Sequence, residues 1–311
     1  LDAELEDDPD EDPETGWVRG SLGVSGAESY EFELKLANLS PSENKTLTVS
    51  VQDEAGGDSN FTYTWEVRAP KSSILYFPDN SSSTGRALYE EFLNQTYGVD
   101  NWDQYDFVFG YPDHPFVLTE SMKMFDVILW ADGGSSTSSV MKTTFSTTGP
   151  MAQYLDAGGR LLLISKLVTE VSGDSGLSGP FIRNRLGIES DLALPRGDLA
   201  IPAGKRAMPV PGAGALPVMY KNISFGSGRG LNLRDTAEAL YRLEPCVRCY
   251  SQWDPWDPVV ASRTPLRLDD EGFPQLANIV CFSLQLEYFS QSQVISVLQQ
   301  VLSNEMGVTI P

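Results

Sequence analysis

The feature that most constrains this chain is a set of short, continuous apolar runs: Ser73–Phe77, Asp126–Trp130, Arg160–Ser165 and Asn278–Phe282. Strands buried on both faces read this way, whereas strands with one wet face alternate in polarity. Amphipathic stretches separate the runs. Leu88, Phe92 and Leu93 share one helical face, for which Thr84 is the expected N-cap. Met151, Tyr154 and Leu155 share a second, closed by Gly158-Gly159, and Val294, Val297, Leu298 and Val301 share a third, ended by Gly307. Asp106–Phe109 is expected as a further short strand. This alternation predicts an α/β domain over 71–311, a mainly parallel sheet with helices on both faces. Within it, about 191–270 is rich in Pro and Gly and reads as an insertion of loops with an added β-hairpin.

The first 70 residues follow a different rule. Residues 1–16 carry nine acidic side chains and no basic one, so a solvated leader, disordered or extended, is expected there. Over 17–70 the period becomes two. Tyr30, Phe32, Leu34 and Leu36 alternate with charged residues, Leu47, Val49 and Val51 with Thr48 and Ser50, and Phe61, Tyr63 and Trp65 follow the turn Asp53–Asp58. These spacings predict a small antiparallel β-sandwich. The runs Thr46–Gly56 and Tyr63–Val67 resemble the later strands of a fibronectin type III or immunoglobulin-like module, one short enough that its remaining strands would lie upstream or come from a neighbour.

Charge excludes a class of partners. With 22 basic against 43 acidic residues the chain carries −21 at pH 7, and such a surface repels phosphate backbones, so nucleic acid is not an expected partner. No apolar run approaches the length of a membrane span, and no basic segment leads into an apolar one, so any secretion signal is expected to have been removed or never to have been there. Six of eleven Asn open an Asn-x-Ser/Thr triplet: Asn38, Asn44, Asn60, Asn80, Asn94 and Asn222. With Ser and Thr at 49 of 311 positions, chance supplies only about two such triplets, and the acceptor belongs to accessible loops of exported chains. N-glycans and an extracellular or cell-surface location are therefore expected. Cys246 and Cys249 form a lone C-x-x-C, and with one His in the chain a zinc site lacks ligands. A disulfide is expected instead, either Cys246 with Cys249 or one of them with Cys281.

The segments Phe125–Gly134 and Gln153–Ser165 resemble the class I glutamine amidotransferase-like fold, a flavodoxin-like superfamily. The resemblance spans roughly 72–170, with the closing strand and helix at 276–307, and is closest to degenerate members found in exported prokaryotic surface proteins and beside secreted peptidases. Enzymes of that family use a Cys-His-Glu triad with the Cys on a Gly-flanked elbow. Here the matching strand end offers Ser165, the flanking glycines are missing, and the single histidine, His114, lies upstream. The resemblance thus implies a catalytically inactive domain in which Ser165 is the remaining catalytic candidate, since a serine nucleophile needs an adjacent base.

Other candidates are weaker. The loop Asp79–Gly85 follows a strand and opens a helix, so Ser82, Thr84 and Gly85 could cradle a phosphate, with Asp132–Thr137 as the opposite wall. The sequon at Asn80 and the net charge oppose this. The acidic loops at 53–58, 254–257 and 269–271 lack EF-hand spacing, so no metal is expected, and Trp253 with Trp256 forms an aromatic pair in a polar loop. The reading that follows is a non-enzymatic exported protein that acts in surface assembly or binding, through protein partners or self-assembly and without a cofactor. The alternatives are a hydrolase or transferase using Ser165, and a flavin or nucleotide binder at Ser81–Gly85.

Overall fold

The structure, a computed structural model, describes residues 2–4, 21–23, 44–52, 58–66, 69–107, 115–134, 136–173, 179–191, 199–200, 204–211, 216–222, 227–244, 257–265 and 277–311. Two compact units divide the chain, Leu1–Ala69 and Pro70–Pro311.

In the first unit, β1 (Asp2–Glu4), β2 (Ser21–Gly23), β3 (Asn44–Gln52) and β4 (Asp58–Glu66) form one antiparallel sheet in the order β2-β1-β3-β4. The β3–β4 register places Val49 opposite Phe61 and Leu47 opposite Tyr63. A sandwich needs a second sheet, and the described residues contain one only. Tyr30–Leu36 lies outside them. Asp2–Glu4, in the expected leader, is a strand of the sheet.

The second unit begins with β5 (Ile74–Asp79), α1 (Ser83–Tyr97), β6 (Asp103–Gln104), α2 (Pro115–Lys123), β7 (Val127–Asp132), α3 (Ser139–Thr144), α4 (Pro150–Asp156), β8 (Arg160–Ser165) and α5 (Pro180–Asn184). Then come β9 (Ile188–Asp191), β10 (Leu199–Ala200), β11 (Arg206–Pro209), β12 (Met219–Tyr220), β13 (Ser227–Gly228), β14 (Leu231–Leu233), β15 (Glu238–Leu243) and β16 (Val259–Pro265). The chain closes with β17 (Ala277–Phe282) and α6 (Gln291–Gln300). Strands β6-β5-β7-β8-β17 pair in parallel in that order. Counted along the chain, these five strands run 2-1-3-4-5, the flavodoxin-like doubly wound arrangement.

Both faces of this core are covered. Leu88, Phe92 and Leu93 of α1 and Val294 and Leu298 of α6 pack with Ile74, Tyr76 and Leu129. On the other side Leu118, Met122, Met151, Leu155 and Phe181 pack with Phe77, Trp130 and Leu163. Each such side chain contributes roughly 1.5–3 kcal/mol on burial, which is why the strand runs are continuously apolar.

Three expectations need correction. The short strand lies at Asp103–Gln104, where it pairs with Leu75 and Tyr76; of the expected Asp106–Phe109, Asp106 and Phe107 are outside any strand and 108–109 lie outside the described residues. The aromatic side chains after it pack as rings instead, Tyr105 and Phe107 stacking on Phe77 at 5.4 and 5.5 Å. The cap of α1 is Ser82, not Thr84: Ser82 Oγ accepts the Gly85 N–H at 3.0 Å. The region 191–270 is more than loops and a hairpin. Strands β16, β15, β11 and β12 continue the same sheet in antiparallel fashion beyond β17, and β14 and β9 branch from β16. The first of them, β16, pairs with the edge of β17 that the parallel core leaves unpaired.

The amino-terminal ends of β7 and β8 are held by one side chain. The buried Tyr154 hydroxyl lies 3.2 Å from the carbonyls of Phe125 and Arg160, to which it donates, and accepts the Arg160 N–H at 3.1 Å. Its ring lies so close to Gly159 that a Cβ there would fall 2.2 Å from it. Gly159→Ala is therefore expected to destabilise by about 1–3 kcal/mol through overpacking, and Tyr154→Phe by about 1–3 kcal/mol through lost hydrogen bonds. Denaturant melts check both, and an unchanged midpoint for Gly159→Ala would contradict the packing described.

Candidate functional site

In a doubly wound sheet the crevice forms where the strand order reverses, at the carboxyl ends. Here that point lies between β5 and β7. Those strands and β8 end in register: Asp79 pairs with Asp132, and Asp132 with Ser165. Every residue before them in the three strands is buried and apolar, apart from the half-buried Arg160 at the start of β8. The sheet thus presents a row of three polar side chains at its carboxyl edge, only 8%, 4% and 0% exposed.

Each member of the row is held. Asp79 Oδ2 accepts the Ser138 hydroxyl at 2.7 Å and the Trp130 indole N–H at 3.3 Å. Ser138 in turn caps α3, its Oγ accepting the Met141 N–H at 2.9 Å. Asp132 Oδ2 accepts the Ser165 hydroxyl at 2.8 Å, and its Oδ1 accepts the Gly134 N–H at 3.0 Å. Ser165 Oγ also accepts the Leu167 N–H at 3.0 Å. Burial pushes Asp132 up to about 6, against the opposing bonds from Gly134 and Ser165, and the nearby Asp79 adds to the rise. Burial also raises Asp79, opposed by Ser138 and Trp130.

A third carboxyl joins from the turn Leu286–Tyr288 after β17. Glu287 lies against the first turn of α1, its Cδ and Oε1 each 3.7 Å from where a Gly85 Cβ would be. Burial raises its pKa, countered by its own backbone N–H and by Lys166 and reinforced by Asp132. Its Oε1 is buried with no hydrogen-bond partner.

The sequence candidates fall as follows. Ser165 sits in this row, wholly buried. Ser82 and Gly85 are joined by the helix cap, Thr84 is exposed, and the Glu287 carboxyl lies beside Gly85 in the first turn of α1. The opposite wall is close: a Cβ on Gly133 would lie 3.3 Å from Ser82 N, and one on Gly134 would lie 3.1 Å from Asn80 Cβ. His114, Trp253, Trp256, Cys246 and Cys249 lie outside the described residues. Cys281 is buried on β17 as a free thiol, its pKa raised by burial, which corrects the expected bond from Cys246 or Cys249 to it. Among the described residues no group of His, Cys, Asp and Glu is arranged to hold a metal ion, and no helix is long and apolar enough to cross a membrane.

The sequons differ in setting. Asn38 is outside the described residues, Asn44 opens β3, and Asn60, Asn80 and Asn222 are exposed. Asn80 has φ 48° in the loop after β5. Asn94 is different: it is mid-helix in α1, its Oδ1 accepts the Trp102 indole N–H at 2.8 Å, and the buried Thr96 hydroxyl donates to the Phe92 carbonyl. That triplet lacks the accessible loop setting of an acceptor.

Sequence reading missed Asp79, Asp132 and Glu287 as a group. The available signal was position: Asp79, Asp132 and Ser165 each end an apolar strand run.

No protein-family model and no curated protein sequence matches the chain. Two solved structures are similar at 13% identity. One is described as a ThuA-like protein from Bacteroides uniformis, with 79% of this chain and 97% of that one covered and a TM-score of 0.44. The other is described as a cytoplasmic protein from Salmonella typhimurium, with 84% and 95% covered and a TM-score of 0.40. Likenesses this distant leave the chemistry to be argued from the residues themselves.

The carboxyl row predicts an acid-favouring stability profile. A carboxyl whose folded pKa is raised binds its proton more tightly folded than unfolded, so stability falls as pH rises from the unfolded value towards the folded one. For Asp132 that window runs from 3.8 to about 6, and Asp79 and Glu287 act in the same direction. The melting temperature is expected to be higher at pH 5 than at pH 7.5, with a shallower dependence in Asp132→Asn. A profile that rises towards pH 7.5 would refute this assignment.

Proposed function

We propose that this chain is a non-catalytic binding or assembly protein of the cell exterior, built on an amidotransferase-like α/β domain whose nucleophile position has become structural. One observation carries the reading: Ser165 Oγ is wholly buried, donates to Asp132 and accepts from Leu167. A nucleophile needs a lone pair aimed at an approachable substrate carbon, and this hydroxyl has no exposed surface for a substrate to approach. The same argument weighs against the Asp79–Asp132 pair as an acid–base couple, because both carboxyls are almost wholly buried, Ser165 and Gly134 bond the two Asp132 oxygens, and Ser138 and Trp130 bond Asp79 Oδ2. The phosphate reading at Ser82–Gly85 loses support to the Glu287 carboxyl, which lies beside the first turn of α1 and would oppose an anion there.

Export is supported by the excess of sequons and by the exposure of Asn60, Asn80 and Asn222. The strongly negative surface favours solvation outside the cell, where salt screens self-repulsion. Protein partners or further copies of the chain are the expected contacts, with N-glycans at accessible sequons.

Two measurements test this. A fluorophosphonate probe is expected to leave Ser165 unlabelled in the folded protein, while Ser165→Ala costs about 1–3 kcal/mol of stability through the unpaired partners it leaves. Stoichiometric labelling of Ser165 would establish the hydrolase instead. Intact mass after expression in a glycosylating host is expected to show glycans at Asn60, Asn80 or Asn222 and none at Asn94. A bare chain from that host would remove the support for export.

A further inference from the structure

An acidic protein leaves few cations without partners. Nine arginines lie among the described residues, and eight are ion-paired, from Arg86 with Asp106 to Arg263 with Glu238 and Glu305. Arg160 is the exception. Its backbone is anchored, the N–H reaching the Asp126 carbonyl at 3.2 Å and the Tyr154 hydroxyl at 3.1 Å. Its guanidinium meets no carboxylate, and its Nε is buried with no hydrogen-bond partner. In a chain with 43 acidic and 22 basic residues, an arginine held in place and left unpaired calls for an explanation.

Arg160 lines a pocket of about 260 Å³ at the amino-terminal ends of β7 and β8, together with Lys123, Phe125, Asp126, Tyr154 and the Gly158-Gly159 turn. This is the end of the sheet opposite the carboxyl row, since Arg160 begins β8 and Ser165 ends it. Lys123 is exposed, and its bond to Glu120 at 2.6 Å is a surface i,i+3 pair of the kind that contributes little and is readily given up. Nearby helix carbonyls at the end of α4 favour a cation, yet none accepts a hydrogen bond from the guanidinium. We propose that this pocket binds a small monocarboxylate that carries a hydroxyl or amino group beside its carboxyl carbon.

Each part of that ligand answers a part of the pocket. The guanidinium fork offers two parallel N–H donors that match a carboxylate, with Lys123 adding charge. Asp126 is exposed and has no side-chain partner, so it accepts the ligand's hydroxyl or ammonium donor. The Phe125 and Tyr154 rings border the carbon skeleton. A polyanion fits poorly, because Asp126 lies in the lining and the whole molecule carries −21. The pocket volume restricts the ligand to a few carbons or a single sugar acid.

The inference stands apart from the proposed surface role and is tested without it. Titration with lactate, followed through the Arg160 Nε–H resonance, is expected to saturate. Acetate, which lacks the second donor, and inorganic phosphate should each bind at least tenfold more weakly. Arg160→Gln should lose lactate binding at least tenfold, and Arg160→Lys nearly as much, because a point charge lacks the fork. Lys123→Gln, a change on the exposed surface, should weaken binding severalfold and guards against a folding defect in the arginine variants. A resonance that does not saturate with lactate, phosphate binding as tight as lactate binding, or lactate affinity retained in both Arg160→Gln and Lys123→Gln would each overturn the proposal.

Discussion

Burial on both faces of the five parallel strands is the constraint from which the rest of the α/β unit follows. Such strands cannot carry a polar side chain along their length without a partner inside the protein. Ile74 to Pro78, Val127 to Ala131 and Leu161 to Ile164 accordingly contain none with an ionisable group other than the Tyr76 hydroxyl. Polar chemistry is displaced to the strand ends, where β5, β7 and β8 finish in the same register and the displaced groups meet one another. Once there, Asp79 and Asp132 are still almost wholly buried, so they stay only because hydroxyl, indole and amide donors surround them.

That arrangement has two faces. It resembles catalytic preparation, with a serine hydroxyl on a carboxylate whose pKa is about 6. It also works as a bracket: Asp79 fixes the cap of α3, and Asp132 ties the glycine turn after β7 to the end of β8. Access decides between the two. A nucleophile with no exposed surface has no substrate, whatever its protonation, and perturbed carboxyls arise in structural networks as well as in active sites. Glu287 adds a further buried carboxyl to this end of the sheet, packed beside Gly85 in the first turn of α1.

Much of the fold was legible in the sequence because its signals are local. The runs at Arg160–Ser165 and Asn278–Phe282 and the faces of α1, α4 and α6 reflect burial, and burial writes itself into polarity. The antiparallel strands of 191–270 were not legible. Several have only two to four residues, several hold Pro or Arg, and the sheet they extend begins at the edge of β17, which lies far away in sequence. The candidate site was half legible for a similar reason. Ser165 stands out at a strand end, whereas Glu287 gains meaning only because the turn after β17 meets the start of α1. Ser82 against Thr84 as the cap shows the limit at single-residue scale: both have the chemistry, and only the backbone path selects Ser82.

The long sheet ends abruptly on both sides. Along its main path the terminal strands are β6 and β12, each of two residues. Unpaired strand edges invite other chains to add on, and very short edge strands are one way proteins blunt that tendency. A neighbour docking at either end by backbone pairing would find two residues to grip. If copies of this protein join one another, the two ends of this path favour contact through side chains on helical faces and loops, where charge sets the terms, over continuation of the sheet.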